Sequence, residues 1–212
     1  MSLVQRGALI AVAAAAYVIG FWPTWWLRDF VLNAFGDPAY EGVWIVIPHV
    51  FLYSTLQAVF CLVAWMVLAR LKWMPGLKLS PRMSTLGWGL VAGLVSIAIL
   101  VGFLFATGQG GAFHEPRVNP WIMGANVFSN FYEELIFRGF ILVALTAALG
   151  FWPAAIISSI AFGATHTQYP FELQALIAVI AVLWAWAAKK ADGLLAPYTA
   201  HMALDWLIDP IL

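Results

Sequence analysis

The chain has 212 residues, 64% of them hydrophobic and 9% charged, with ten Lys and Arg balancing ten Asp and Glu to a formal net charge of zero. A soluble globular domain, which is about a quarter charged and about half apolar, is excluded; the lack of any basic tract likewise argues against nucleic acid or another polyanion as partner. What remains is an all-α, polytopic membrane bundle with room for six to eight spans of roughly 20 residues, read as a single integral-membrane domain over residues 1–212.

Hydropathy predicts about seven transmembrane helices, near residues 7–27, 43–69, 85–106, 120–149, 151–168, 171–188 and 193–211. Their apolarity is continuous rather than alternating, which favours helices over a barrel. In the first, Arg6 and an alanine-rich run have the outline of a signal peptide, but apolarity continues through Trp25 and Trp26, so a retained span is expected. In the second, Cys61 lies among Val59, Phe60, Leu62 and Val63 and reads as a packing residue. Arg70, Lys72, Lys78 and Arg82 follow the second segment, and Lys189 and Lys190 follow the sixth. Together with Arg6 these belong on the cytoplasmic side, leaving Arg28 and Arg117 opposite; the amino terminus is then cytoplasmic and the carboxyl terminus outside. The stretch from Gly108 to Pro116, rich in glycine, is loop-like and is either a gate for substrate or a plain turn. His114 within it, and His49, have no companion at ligand spacing and read as structural.

The fourth segment carries Glu133, Glu134 and Arg138 inside an otherwise apolar helix. Ionisable groups at bilayer depth are costly and persist where they face a polar interior, pair, or perform chemistry. At about 100° per residue, Asn126, Asn130 and Glu133 share one stripe, while Glu134 and Arg138 stack as a pair. Glu133 is then the carboxylate left over, placed to act as a general base. Two more segments supply matching groups. The run Ser158 to His166 sets the histidine on the face of Ser159 and Phe162, with Gly163 permitting close helix approach, and His201 and Asp205 lie four apart.

The order Glu-Glu-x-x-x-Arg, Phe-x-x-x-His, His-x-x-x-Asp resembles the CPBP family, the CAAX-protease and bacteriocin-processing group of intramembrane proteases also called Abi, over Glu133 to Asp205. Catalytic motifs are accordingly expected within residues 120–209. The resemblance implies a glutamate-type endopeptidase of a prokaryotic inner or plasma membrane, working without a cofactor on a protein or peptide substrate in the bilayer. Glu133 and His166 would activate a water, His201 and Asp205 would stabilise the oxyanion, and Glu134 and Arg138 would support the site. Many members carry asparagine where this chain has Asp205; an ionised carboxylate cannot donate to an oxyanion, so Asp205 is either protonated in its apolar setting or, as is preferred, acts by orienting and charging His201. Prenylated carboxyl-terminal motifs, leader peptides, bacteriocins and sorting tails all fit as substrates.

Two alternatives stay open. Glu133, His166, His201 and Asp205 are also a reasonable zinc ligand set, with a metal-bound water as nucleophile. The chain could instead be a non-catalytic membrane scaffold or immunity protein; a proton-coupled transporter is disfavoured by the short chain and the lack of an evident repeat.

Overall fold

The structure, a computed structural model, describes residues 1–35, 43–109 and 119–208. Its helices are α1 (Leu3–Phe35), α2 (Val43–Arg70), α3 (Met83–Ala106), α4 (Pro120–Glu134), a π-helical stretch (Leu135–Ile141), α5 (Leu142–Leu149), α6 (Phe151–Thr165), α7 (Phe171–Ala191) and α8 (Leu195–Ile208). Because α4, the π-helical stretch and α5 run on without a break, the described residues form seven rods, one for each expected segment, and no strand. The proposed gate from Gly108 to Pro116, with His114, lies outside the described residues beyond Gln109, as does the last residue of the 120–209 range.

Two helices, Met83–Ala106 and Phe171–Ala191, are long and apolar enough to cross a membrane. Side-chain size along α3 is inverted relative to a helix in water. Its buried positions include Gly89, Ala92, Gly93 and Ser96, whereas Leu90, Val91 and Leu94 face outward. Lipid is as apolar as leucine, so large apolar groups gain little by turning inward there, and small residues let helix backbones approach. A Cβ on Gly89 would stand 2.6 Å from the Ala196 carbonyl oxygen, and one on Gly93 2.8 Å from Ala203 Cβ, so α3 rests directly on α8. Gly163 does the same for α6 on α7, where a Cβ would come within 2.5 Å of the Gln174 carbonyl oxygen. Trp184 of α7 closes this group of helices by donating its indole N–H to Ser96 Oγ of α3 at 2.9 Å.

The bundle has two distinct ends. At one, the α2–α3 connection is strapped to the turn between α7 and α8: Leu194 N–H donates to the Lys78 carbonyl at 2.9 Å, and Lys78 pairs with Asp192 at 2.7 Å. Lys189 lies 4.1 Å from the centre of the Phe151 ring, which brings the start of α6 to the same end. Gly150 alone joins α5 to α6, at φ 86°, a backbone state that favours glycine. Gln57 of α2 donates to the Ala16 carbonyl of α1 at 2.9 Å, so these two helices run antiparallel and Arg6 also points to this end. At the other end, Trp206 near the end of α8 donates to the Met123 carbonyl near the start of α4 at 3.2 Å.

Candidate active site

The charged rod is the scaffold of the site. A π-helical stretch bonds i to i+5 and re-aims the faces before and after it, and such stretches are frequent at functional sites. Here it begins directly after Glu134, and all seven of its residues are buried. The two adjacent glutamates end in different surroundings: the Glu134 side chain is 0% exposed, that of Glu133 36%.

Glu134 is the hub of the buried part. Its Oε1 accepts from Arg138 Nη1 at 2.9 Å and lies 3.0 Å from His201 Nδ1. A carboxylate only accepts, so Nδ1 carries the proton in that contact. The Arg138 guanidinium also lies over two π faces, its Cζ 4.2 Å from the Phe162 ring centre and 5.2 Å from that of Trp184. Cation–π contact of this kind replaces part of the lost hydration, although Glu134 Oε2 and Arg138 Nη2 have no partner among the described residues.

The opposite edge of His201 faces the two remaining carboxylates. Nε2 is 3.5 Å from Asp205 Oδ2 and 4.0 Å from Glu133 Oε2. Glu134, on another helix, is therefore the carboxylate nearest to His201, and Asp205, expected to orient it from one turn away, approaches the other nitrogen at longer range. Asp205 has its own anchor: Asn130 Nδ2 donates to Oδ2 at 2.8 Å. Asn130 shares the stripe of Glu133, but nothing in the one-dimensional pattern pairs it with a residue 75 positions on; that needs the register of α4 against α8.

His166 is placed differently from its expected helical face. It is the residue that ends α6, where its Nδ1 donates to the Phe162 carbonyl at 2.9 Å. A carbonyl only accepts, so Nδ1 donates in that contact and Nε2 is the ring nitrogen it leaves unengaged.

Glu133, His166, His201 and Asp205 all line one cavity of about 630 Å³, together with Asn130, Phe162 and Trp184. Glu134 and Arg138 are not among its lining residues and lie behind the wall. Arg138 lines instead a separate cavity of about 300 Å³ towards the basic end, with Lys78, Lys189 and Asp192. Among the described residues no group of three or more His, Cys, Asp or Glu is arranged to hold a metal ion.

Glu133, His166 and the His201–Asp205 pair thus converge from three rods on one cavity, with Glu134 and Arg138 behind it. A family model described as type II CAAX prenyl endopeptidase Rce1-like matches residues 116–207. This part of the chain is similar to the Rce1-like family. The match covers the whole of the converging array and agrees with the CPBP, or CAAX-protease, resemblance of its motifs. Rce1-like proteins are membrane-embedded peptide hydrolases that act on protein substrates at the membrane. No curated protein and no solved structure matches the chain.

Proposed function

We propose that the chain is a multi-pass intramembrane endopeptidase in which Glu133 and His166 activate a water against a peptide carbonyl. The observation that carries this reading is the meeting of Glu133, His166, His201 and Asp205 on one cavity. Glu133 is the half-exposed carboxylate there, and His166, its Nδ1 engaged by the Phe162 carbonyl, has its other ring nitrogen for the water, so the two are the groups this reading assigns to accept from it. The water proton moves to Glu133 as oxygen bonds to the carbonyl carbon, and it passes on to the leaving amine when the C–N bond breaks. His201, gripped through Nδ1 by Glu134, presents its other nitrogen to the cavity, where a protonated Nε2 donates to the oxyanion. Asp205 and Asn130 hold that edge in place, and the Glu134–Arg138 pair fixes His201 from behind. No metal is assigned a step in this reading.

The test compares membrane-protein termini by mass spectrometry in cells carrying the wild-type chain or Glu133→Gln. Removing the base should slow cleavage by about 100-fold or more at unchanged expression. If Glu133→Gln leaves every terminus and phenotype intact, the chain is a scaffold. Purified protein should also keep its activity after exhaustive chelation, whereas activity lost on chelation and restored by zinc would replace the metal-free reading.

A further inference from the structure

We infer that Ser96, on α3 and outside every charged motif, is a positioning residue of the active site: through Trp184 it sets the plane of the His201 imidazole. This rests on the hydrolase reading above, in which Nε2 of His201 faces the oxyanion.

One hydrogen bond does not fix a ring. The contact of Nδ1 with Glu134 Oε1 at 3.0 Å sets where one edge of the imidazole lies, yet the ring can still pivot about it and swing Nε2 away from the cavity. A donor serves an oxyanion only when it is aimed beforehand at the place where charge develops, so the ring needs a second constraint. Trp184 supplies it. Its ring centre lies 4.4 Å from that of His201, with the two planes 32° apart, so a further tilt of the imidazole drives it into the indole. Phe162 meets the same imidazole nearly at right angles, 5.8 Å away.

The indole is held in turn by α3. Its N–H donates to Ser96 Oγ at 2.9 Å, and the Ser96 hydroxyl donates to the Ala92 carbonyl at 2.7 Å. With its one hydrogen directed at Ala92, Ser96 meets Trp184 with lone pairs only, which gives the link a single direction. Both residues are buried, so the indole N–H has no bulk water to turn to. Helix packing sets the level of the serine. One turn before it, a Cβ on Gly93 would stand 2.8 Å from Ala203 Cβ and 3.1 Å from the Ala200 carbonyl oxygen, on either side of His201 in the sequence. The same stretch of α3 therefore bears on the backbone that carries His201 and holds the tryptophan that covers its ring. Ser96 is not among the residues lining the catalytic cavity and lies outside the matched residues 116–207. It acts through Trp184, not on the substrate.

A peptide spanning a Glu133-dependent cut, found by the terminus comparison, serves as substrate for the purified full-length protein. Ser96→Ala removes the acceptor and should lower kcat about 10-fold through misplacement of the ring, with KM unchanged, the mark of an interaction made only in the transition state. Trp184→Phe keeps an aromatic ring but has no N–H to tether. It should lower kcat as well, and adding Ser96→Ala to it should lower kcat no further, because the two residues act as one unit. Losses that multiply in the double variant overturn the inference, as does a Ser96→Ala protein that melts at lower temperature but keeps the wild-type kcat. Should Ser96→Ala not fold, Trp184→Phe carries the test, and a wild-type kcat there overturns it.

A second readout needs no activity. The ring signals of His201, one of four histidines, are followed by NMR on protein carrying isotope-labelled histidine and assigned by their absence in His201→Gln. Lying against the indole, they should move in Ser96→Ala, and unchanged signals overturn the link. If they move while the wild-type protein cuts no peptide, the hydrolase reading fails and the tie from Ser96 to His201 stands.

Discussion

The two cavities described above lie on either side of one helical rod and differ in nearly every respect that matters to chemistry. The larger one gathers Glu133, His166, His201 and Asp205; the smaller has a floor of Gly139, Leu142, Val143 and Ala147 with Lys78 and Lys189 among its lining. Between them stand Glu134 and Arg138, paired at 2.9 Å and almost fully buried. The contrast teaches that adjacent, chemically identical residues acquire separate tasks from the side of the wall they face. Glu133 meets the water-accessible pocket; Glu134, one residue on, meets only Arg138 and His201.

That division can be broken from the wall outward. Arg138→Ala should be the most damaging change, because it leaves Glu134 buried without its cation; loss of one partner of a buried pair costs about 3–5 kcal/mol, visible as a large drop in the melting temperature of the purified protein. Glu134→Gln with Arg138→Met removes both charges and should recover most of that stability while activity stays low, since His201 loses its anchor. If the double variant is fully active, the wall is only a packing element.

Glu133→Gln should act in the opposite sense, lowering cleavage by about 100-fold or more with the melting temperature unchanged. Asn130→Asp comes next in size. Two carboxylates would then confront each other where Asn130 now donates to Asp205 at 2.8 Å, and a loss on the order of 1–3 kcal/mol in stability or barrier is expected. The exchange Asn130→Asp with Asp205→Asn restores an amide–carboxylate pair and should regain activity; failure of a folded double variant to do so would show that Asp205 itself, not the pair, is needed. The smallest effect should come from the other cavity. Lys189→Gln removes an exposed charge that lies over Phe151 and should move stability by no more than about 0.5 kcal/mol and leave cleavage unchanged. A strong loss of activity there would erase the distinction between the cavities.

The rods were readable because continuous apolarity has only one spanning solution, and the segment expected at 120–149 ends at Leu149 as the structure has it. The shared pocket of Glu133, His166, His201 and Asp205 was foreshadowed by spacing within each helix. What spacing does not contain is how the helices are rotated against one another. The π-helical stretch leaves no periodic trace, since its seven residues are simply apolar around Arg138. The grip of Glu134 on His201 and that of Asn130 on Asp205 join residues 67 and 75 positions apart and depend on α8 lying close to α4. Likewise, His166 reads as a member of a helical face, yet α6 stops at Thr165, and the cap position turns its ring onto the Phe162 carbonyl.

The wall of Glu134, Arg138, Phe162 and Trp184 has a further consequence for a cell. An enzyme that admits water from one side into the interior of a membrane puts its host's ion gradients at risk, because a continuous wet path would conduct protons. Two buried aromatic rings against a buried ion pair set desolvated side chains between the cavities. On the hydrolase reading proposed above, the same four side chains that steady the reaction also insulate it from the far side of the bilayer.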